Sequence, residues 1–288
     1  MDCGLWTNTK GEKTVGKITD ALRKVTDERI ARIQKKPEIQ YVVRKLENTN
    51  IEEHIVSFHD PVSPVAEQYK ILRTNIQSLR QTKGYKTFAI TSSIHGEGKT
   101  VTAINLAIAM THDLNTKSVL LIDADMRKGT MAKYLGISKA PGLSNILKGE
   151  TEPDATFVSP GIDNLTIIPS GKTPRNPAEL LGSKKMESLI TSLQPRFDYI
   201  FIDTPPVMPL TDACLVGPFT DGVIIVVQAG RTQREVIKHT ENRLYQARAK
   251  TLGYAMTNVE YHLPQYLYRY VHEYSDYAYN SDLEPAGK

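Results

Sequence analysis

The sequence predicts an α/β protein built on a doubly wound, mainly parallel sheet with helices on both faces. Three observations carry that prediction. Short runs of apolar residues recur at 87–91, 118–123, 165–169, 199–203, 222–228 and 252–258. Helical stretches at 100–111, 177–192 and 232–249 separate them. Strands that are apolar throughout, rather than alternating, belong to sheets buried on both faces. The third observation is a glycine-containing junction between the first strand and the first helix, where ligands of such sheets bind beyond the carboxyl ends of the strands.

The totals narrow the function classes. With 288 residues, 40% hydrophobic and 24% charged, the chain has an ordinary globular composition. Its net charge of +4 is small and no basic stripe concentrates it, which argues against a nucleic-acid partner. Cys3 and Cys214 lie far apart with no metal-ligand spacing, as expected in a reducing compartment. No N-terminal segment has the apolar core of a signal peptide. Apolar runs such as 119–122 and 223–227 are strand-sized, whereas a membrane helix needs about 20 apolar residues. The expectation is a cytoplasmic protein that reaches the inner face of the plasma membrane through a partner.

Three zones follow along the chain. Residues 1–58 form an N-terminal helical extension, with Ile18, Leu22, Val25, Ile30 and Ile33 on one face of a helix over about 17–35 that Pro37 ends. A weaker amphipathic run covers 39–46. The helix is expected to dock on the main domain, the alternative being a partner- or membrane-surface helix. Residues 59–260 form the α/β domain. Residues 261–288 form a tail of a different composition, and seven of the chain's 14 tyrosines fall between Tyr261 and Tyr279.

The junction reads Ser92-Ser93-Ile94-His95-Gly96-Glu97-Gly98-Lys99-Thr100. It follows a strand and opens a helix, the context of a phosphate-binding P-loop. Gly96 and Gly98 let the backbone wrap closely around phosphate, and the helix N-terminus adds partial positive charge. Lys99 is expected to bridge the terminal phosphates and the Thr100 hydroxyl to hold Mg²⁺. His95, Gly96, Glu97, Gly98 and Val101 complete the expected ATP contacts. The position usually held by the first glycine of the motif is Ser93.

Two strand ends carry carboxylates. One run ends in Asp123-Ala124-Asp125-Met126-Arg127, the other in Asp203-Thr204-Pro205-Pro206. A metal held largely by water and phosphates needs one or two carboxylates, a role that suits Asp125 and Asp203. Asp123 is then in excess, and an acid group near the γ-phosphate can accept the proton of an attacking hydroxyl or water. The fold is thus expected to be P-loop NTPase-like, with ATP and Mg²⁺ as its ligands.

These motifs resemble those of the bacterial tyrosine kinases of capsule and exopolysaccharide synthesis. The resemblance rests on Lys99-Thr100, the D-x-D-x-R end at Asp123 to Arg127, the D-x-P-P end at Asp203 to Pro206, Gly142-Leu143-Ser144, the run from Asn176 to Leu181, and the tyrosine-rich tail. It spans roughly residues 62–279. It implies that Asp123 is the base for a tyrosine hydroxyl, that Asp125 and Asp203 organise Mg²⁺, and that Arg127 belongs to the nucleotide site. The family's oligomerising helix carries E-x-x-R-x-x-R, matched here by Glu67, Lys70 and Arg73. Lys70 departs from that pattern and lacks the planar fork of arginine. P-loop ATPases of plasmid partition carry a second lysine early in the loop, where this chain has Ile94.

The tail supplies the expected acceptors: Tyr266, Tyr268, Tyr270, Tyr274, Tyr277 and Tyr279. No single period explains them, so they do not read as a core segment. The expected function is an ATP-dependent protein-tyrosine autokinase of polysaccharide synthesis or export, acting in trans within a ring-like homo-oligomer. The expected partners are a membrane adaptor or polysaccharide co-polymerase that activates it and a protein-tyrosine phosphatase. A P-loop ATPase switch and a nucleotide-binding scaffold without kinase chemistry are the alternatives.

Overall fold

A computed structural model of the chain describes residues 44–45, 50–114, 116 and 118–259. The helix predicted over 17–35 and the tyrosine tail lie outside the described residues. Those described belong to one compact unit that begins at Val42. Ile51 and Ile55 are buried in its core, so the packing of the α/β domain reaches back before residue 59, its expected start.

Eight strands form one sheet in the order β1-β4-β5-β3-β6-β2-β7-β8. They are β1 (Arg44–Lys45), β2 (Thr87–Ser92), β3 (Val119–Asp123), β4 (Val158–Ser159), β5 (Leu165–Ile168), β6 (Tyr199–Asp203), β7 (Gly222–Gln228) and β8 (Thr251–Thr257). Each pairing is parallel except β4 with β5, where Val158 faces Ile167. The six predicted strands are all present. β1, at the sheet edge, and β4, between it and β5, are two-residue pieces too short to show a period. β1 takes up Arg44 and Lys45 of the amphipathic run 39–46, because pairing with β4 satisfies backbone groups that a helix would satisfy within itself.

β2, β3 and β6 are buried at every position, as strands covered on both faces must be. The covering helices include α1 (Val56–His59), α2 (Pro64–Lys83), α3 (Lys99–Thr111), α4 (Met131–Tyr134) and α5 (Leu143–Lys148). α6 (Pro177–Leu181), α7 (Lys184–Leu193), α8 (Asp212–Val216) and α9 (Arg234–Gln246) follow. α3 is buried along most of its length, and Ala103, Ala107 and Ala109 allow close approach on several sides. Its one buried asparagine, Asn105, accepts from the Ser57 N–H and donates to the His54 carbonyl, fixing the start of the domain to the central helix.

One helix departs from the sequence reading, and another was expected only through the family resemblance at Glu67, Lys70 and Arg73. The predicted helix over 177–192 is divided at Gly182, where α6 ends, and Ser183 caps α7 by accepting from the Met186 N–H. α2, the longest helix described, shows only Ala66 and Ile76 fully buried, so its apolar stripe is too sparse to read as a core helix.

The register sets the stage for the site. Asp123 pairs with Asp203 across β3 and β6, and Ile90 of β2 pairs with Asp203 on the other side. β6 enters the sheet between β2 and β3, which α3 connects. The carboxyl ends of these three strands therefore meet at one level, at the kind of crevice where doubly wound sheets bind ligands.

Candidate active site

The loop between β2 and α3 turns through two left-handed glycines, Gly96 at φ +83° and Gly98 at φ +85°. A side chain at either position is strained whatever the space around it. The loop's own glutamate does not face outward. Glu97 is buried and accepts from the Ile94 N–H at 2.7 Å, from the Gln228 N–H at 3.2 Å and from the Thr232 hydroxyl. Its side chain therefore braces the loop against the end of β7, and only its backbone N–H is left for a phosphate. Among the described residues, the N–H groups of Gly96, Glu97 and Gly98 have no backbone or side-chain acceptor. His95 is exposed on the rim, and Val101 packs against the core.

Lys99 and Thr100 open α3 and turn toward the carboxylates. Lys99 Nζ lies 3.2 Å from Asp125 Oδ2 and 3.5 Å from Asp203 Oδ1. The Thr100 hydroxyl donates to Asp203 Oδ2 at 2.7 Å. Burial disfavours the Lys99 ammonium, but Asp203 and Asp125 outweigh it and raise its pKa above the ordinary lysine value. The loop after β6 is stitched to the phosphate loop, with the Val207 and Met208 N–H groups donating to the Ser92 and Ser93 carbonyls.

Asp123 differs from its neighbours. Its Oδ1 accepts from the Asp125 N–H at 3.1 Å, and its buried Oδ2 has no hydrogen-bond partner. Burial, reinforced by the Asp203 carboxylate, raises its pKa well above the ordinary aspartate value, and Lys99 offsets only part of that. Burial raises Asp203 too, against the pull of Lys99 and the Thr100 hydroxyl. Asp125 is turned to Lys99 on one side and accepts from the Lys128 N–H on the other.

Arg127 is engaged elsewhere. Its Nε and Nη2 donate at 3.1 and 3.2 Å to the two carboxylate oxygens of Asp212, which is fully buried at the start of α8. That pairing ties the end of β3 to the segment after β6. Asp212 stands in a polar-apolar stretch without motif, so nothing in its sequence context marks it. Glu67 and Lys70 pair with each other on α2, and Arg73 donates to the Ala109 carbonyl at 3.0 Å. The six tail tyrosines lie outside the described residues.

The donor set fits a nucleotide with a divalent cation. Inward backbone N–H groups and Lys99 suit phosphate oxygens, and the orphaned Asp123 oxygen suits a proton donor. No group of three or more His, Cys, Asp or Glu among the described residues could hold a metal by itself. A cation here would therefore be completed by phosphate and water around Thr100, Asp125 and Asp203, the usual arrangement for Mg²⁺.

A mainly parallel sheet with this loop at its centre and carboxylates at the ends of β3 and β6 defines a P-loop nucleotide-binding protein. The family described as AAA domain matches residues 85–251. Tyrosine-protein kinase YwqD of Bacillus subtilis (strain 168) is 33% identical over 214 residues, covering 74% of this chain and 90% of the relative. Tyrosine-protein kinase CpsD of Streptococcus agalactiae is 34% identical over 194 residues, covering 67% and 83%. The solved kinase domain of Escherichia coli tyrosine kinase ETK superposes with a TM-score of 0.70 at 26% identity, covering 76% of this chain and 85% of that one. The chain belongs to the bacterial tyrosine-kinase family. Among the described residues, no helix is long and apolar enough to cross a membrane.

Proposed function

We propose that the chain is an ATP-dependent protein-tyrosine autokinase regulating capsule or exopolysaccharide synthesis or export, with its own C-terminal tyrosines as acceptors. The observation that carries this reading is the buried Asp123 carboxyl, with one unpartnered oxygen, set beside the Lys99, Thr100, Asp125 and Asp203 cluster. A buried carboxyl whose pKa is raised by burial and by the Asp203 carboxylate, with one oxygen unpartnered, is suited to exchange a proton with an acceptor hydroxyl.

Each residue then has a task. The N–H groups of Gly96, Glu97 and Gly98 and the Lys99 ammonium hold the phosphates of ATP. Thr100, Asp125 and Asp203 would hold Mg²⁺, which would supply charge neutralisation at the phosphates. Asp123 orients the acceptor hydroxyl and takes its proton as the bond from tyrosine oxygen to the γ-phosphorus forms and the bond to ADP breaks. In such transfers positioning and charge neutralisation supply most of the rate. Arg127, paired with Asp212, keeps the end of β3 in place for its carboxylates.

The acceptors are Tyr266, Tyr268, Tyr270, Tyr274, Tyr277 and Tyr279, presented in trans by a neighbour in a homo-oligomer. A tethered tail reaches an effective concentration of about a millimolar, so weak recognition suffices. α2, with Glu67, Lys70 and Arg73, is the helix through which copies associate. A membrane adaptor or polysaccharide co-polymerase recruits and activates the enzyme at the inner face of the plasma membrane, and a protein-tyrosine phosphatase resets it.

The test is incubation of the purified chain, with and without its activator, with labelled ATP and Mg²⁺. Label on tyrosine, lost in Lys99→Met and in a chain ending at Glu260, is the expected result. Phosphate release without protein labelling would replace the kinase by an ATPase switch.

A further inference from the structure

The phosphate loop is held from outside as well as from within. Arg231, an exposed residue between β7 and α9, lies along the loop's outer face. Its Nη2 donates to the His95 carbonyl at 3.0 Å. Its Nη1 donates to the Gly96 carbonyl at 3.1 Å and to Gln228 Oε1 at 2.9 Å. Thr257, the last residue of β8, donates its hydroxyl to the Glu97 carbonyl at 2.9 Å. Two side chains from outside the motif thus engage three consecutive carbonyls.

The consequence follows from the peptide bond. In a planar trans peptide the C=O and the N–H of the following residue point in opposite directions. Drawing the carbonyls of His95, Gly96 and Glu97 toward Arg231 and Thr257 therefore turns the N–H groups of Gly96, Glu97 and Gly98 to the other side. These are the three N–H groups that lack an acceptor among the described residues. Successive N–H groups turned to one side form an anion-binding concavity. Glu97 closes the frame, because its carboxylate bonds Gln228 and Thr232 on either side of Arg231. Gly96 also fits this geometry: a Cβ there would lie 2.9 Å from Arg231 Nη1.

We propose that Arg231 and Thr257 are positioning residues that preorganise the phosphate loop, acting through its carbonyls and not by touching the nucleotide. The inference rests on the loop being the nucleotide site, not on the identity of the phosphoryl acceptor. Without the two side chains, the three peptide planes are free to rotate, and phosphate binding has to order them anew. An exposed arginine contributes little to global stability, so its loss is felt in affinity and not in folding.

The test uses the full chain with Mg-ADP as the probe, read by titration calorimetry and by thermal melting of the nucleotide-free protein. Arg231→Ala is expected to weaken Mg-ADP binding about tenfold while melting stays within about 2 °C of wild type. Thr257→Val keeps the shape beside Gly98 but removes the hydroxyl, and is expected to weaken binding severalfold, with Thr257→Ser restoring it. Arg231→Lys, whose single head replaces the fork at one carbonyl, is expected to recover part of the loss. Wild-type affinity in both Arg231→Ala and Thr257→Val would overturn the proposal. So would a loss of affinity matched by a collapse of melting temperature, which would make Arg231 a folding residue. Wild-type protein that binds no Mg-ADP would overturn the nucleotide site itself, a separate outcome.

Discussion

Asp123 and Asp203 face each other across adjacent strands, both buried, and two such carboxylates resist simultaneous ionisation. Burial and the Asp203 charge raise the Asp123 pKa, so its proton is held more tightly in the folded than in the unfolded chain. At pH below the ordinary aspartate value both states are protonated and the group is neutral in the balance. As pH rises above that value the unfolded chain ionises first, and stability falls until the folded-state pKa is passed. Asp123→Asn removes this penalty. In metal- and nucleotide-free protein at pH 7, the variant is expected to be more stable by about 1–3 kcal/mol. Thermal melting should show the gap closing as pH falls toward 4, and a gap of the opposite sign would contradict the assignment. The same variant is expected to retain Mg-ADP binding but lose about 10²–10⁴ in phosphorylation rate, measured by single-turnover labelling.

At this scale much of the site was legible. Lys99, Thr100, Asp125 and Asp203 were marked by strand ends and a loop motif, and the structure brings them within hydrogen-bond reach of one another. Glu97 and Arg127 were named for their place in motifs, yet their side chains serve the scaffold, toward Gln228 and Asp212. Nothing local distinguishes a side chain that turns inward. Arg231 and Thr257 carry no motif, because their place comes from the sheet order that sets β7 beside β2 and β8 beside β7.

Among the elements, strands of continuous Val, Ile and Leu announced themselves by pattern, whereas α2 was marked only through the family resemblance at Glu67, Lys70 and Arg73. Its buried side is narrow and is completed by partly buried Tyr69, Leu72 and Leu79. Its ends are specified chemically instead. Ser63 accepts from the Ala66 N–H, Pro64 occupies the first turn, and Gly84 closes the helix at φ +73°. Arg80 then anchors the last turn to Asp198 and lies over the Tyr199 ring. Ser63→Ala is expected to cost about 1 kcal/mol, seen as a lower urea midpoint at unchanged slope. A similar cap, Ser183 after Gly182, divides α6 from α7. There a continuous apolar pattern pointed to one helix, and the local stop signal decided otherwise.

On the scale of the whole molecule, the sheet supplies a nucleotide site and α2 supplies a surface. Val65 and Ile71 are both 55% exposed on that helix, beside the Glu67–Lys70 pair. Exposed aliphatics on a helix fixed at both ends suit association of copies. Val65→Glu with Ile71→Glu is expected to lower the oligomer mass in light scattering while Mg-ADP binding is kept, and an unchanged mass would exclude this face. Each phosphotyrosine adds about −1.5 to −2 charges, so a tail phosphorylated at several positions repels its neighbours. Oligomer mass is therefore expected to fall on incubation with Mg-ATP, and full tail phosphorylation without a change in mass would contradict the idea that tail charge loosens the assembly.

The most direct measurement mixes two crippled chains with labelled ATP, Mg²⁺ and the activator. One carries Lys99→Met and an intact tail; the other has the wild-type site and ends at Glu260. Transfer in trans predicts label on the tail tyrosines of the Lys99→Met chain, absent when either chain is incubated alone. An unlabelled mixture, under conditions in which the wild-type chain labels itself, would contradict it.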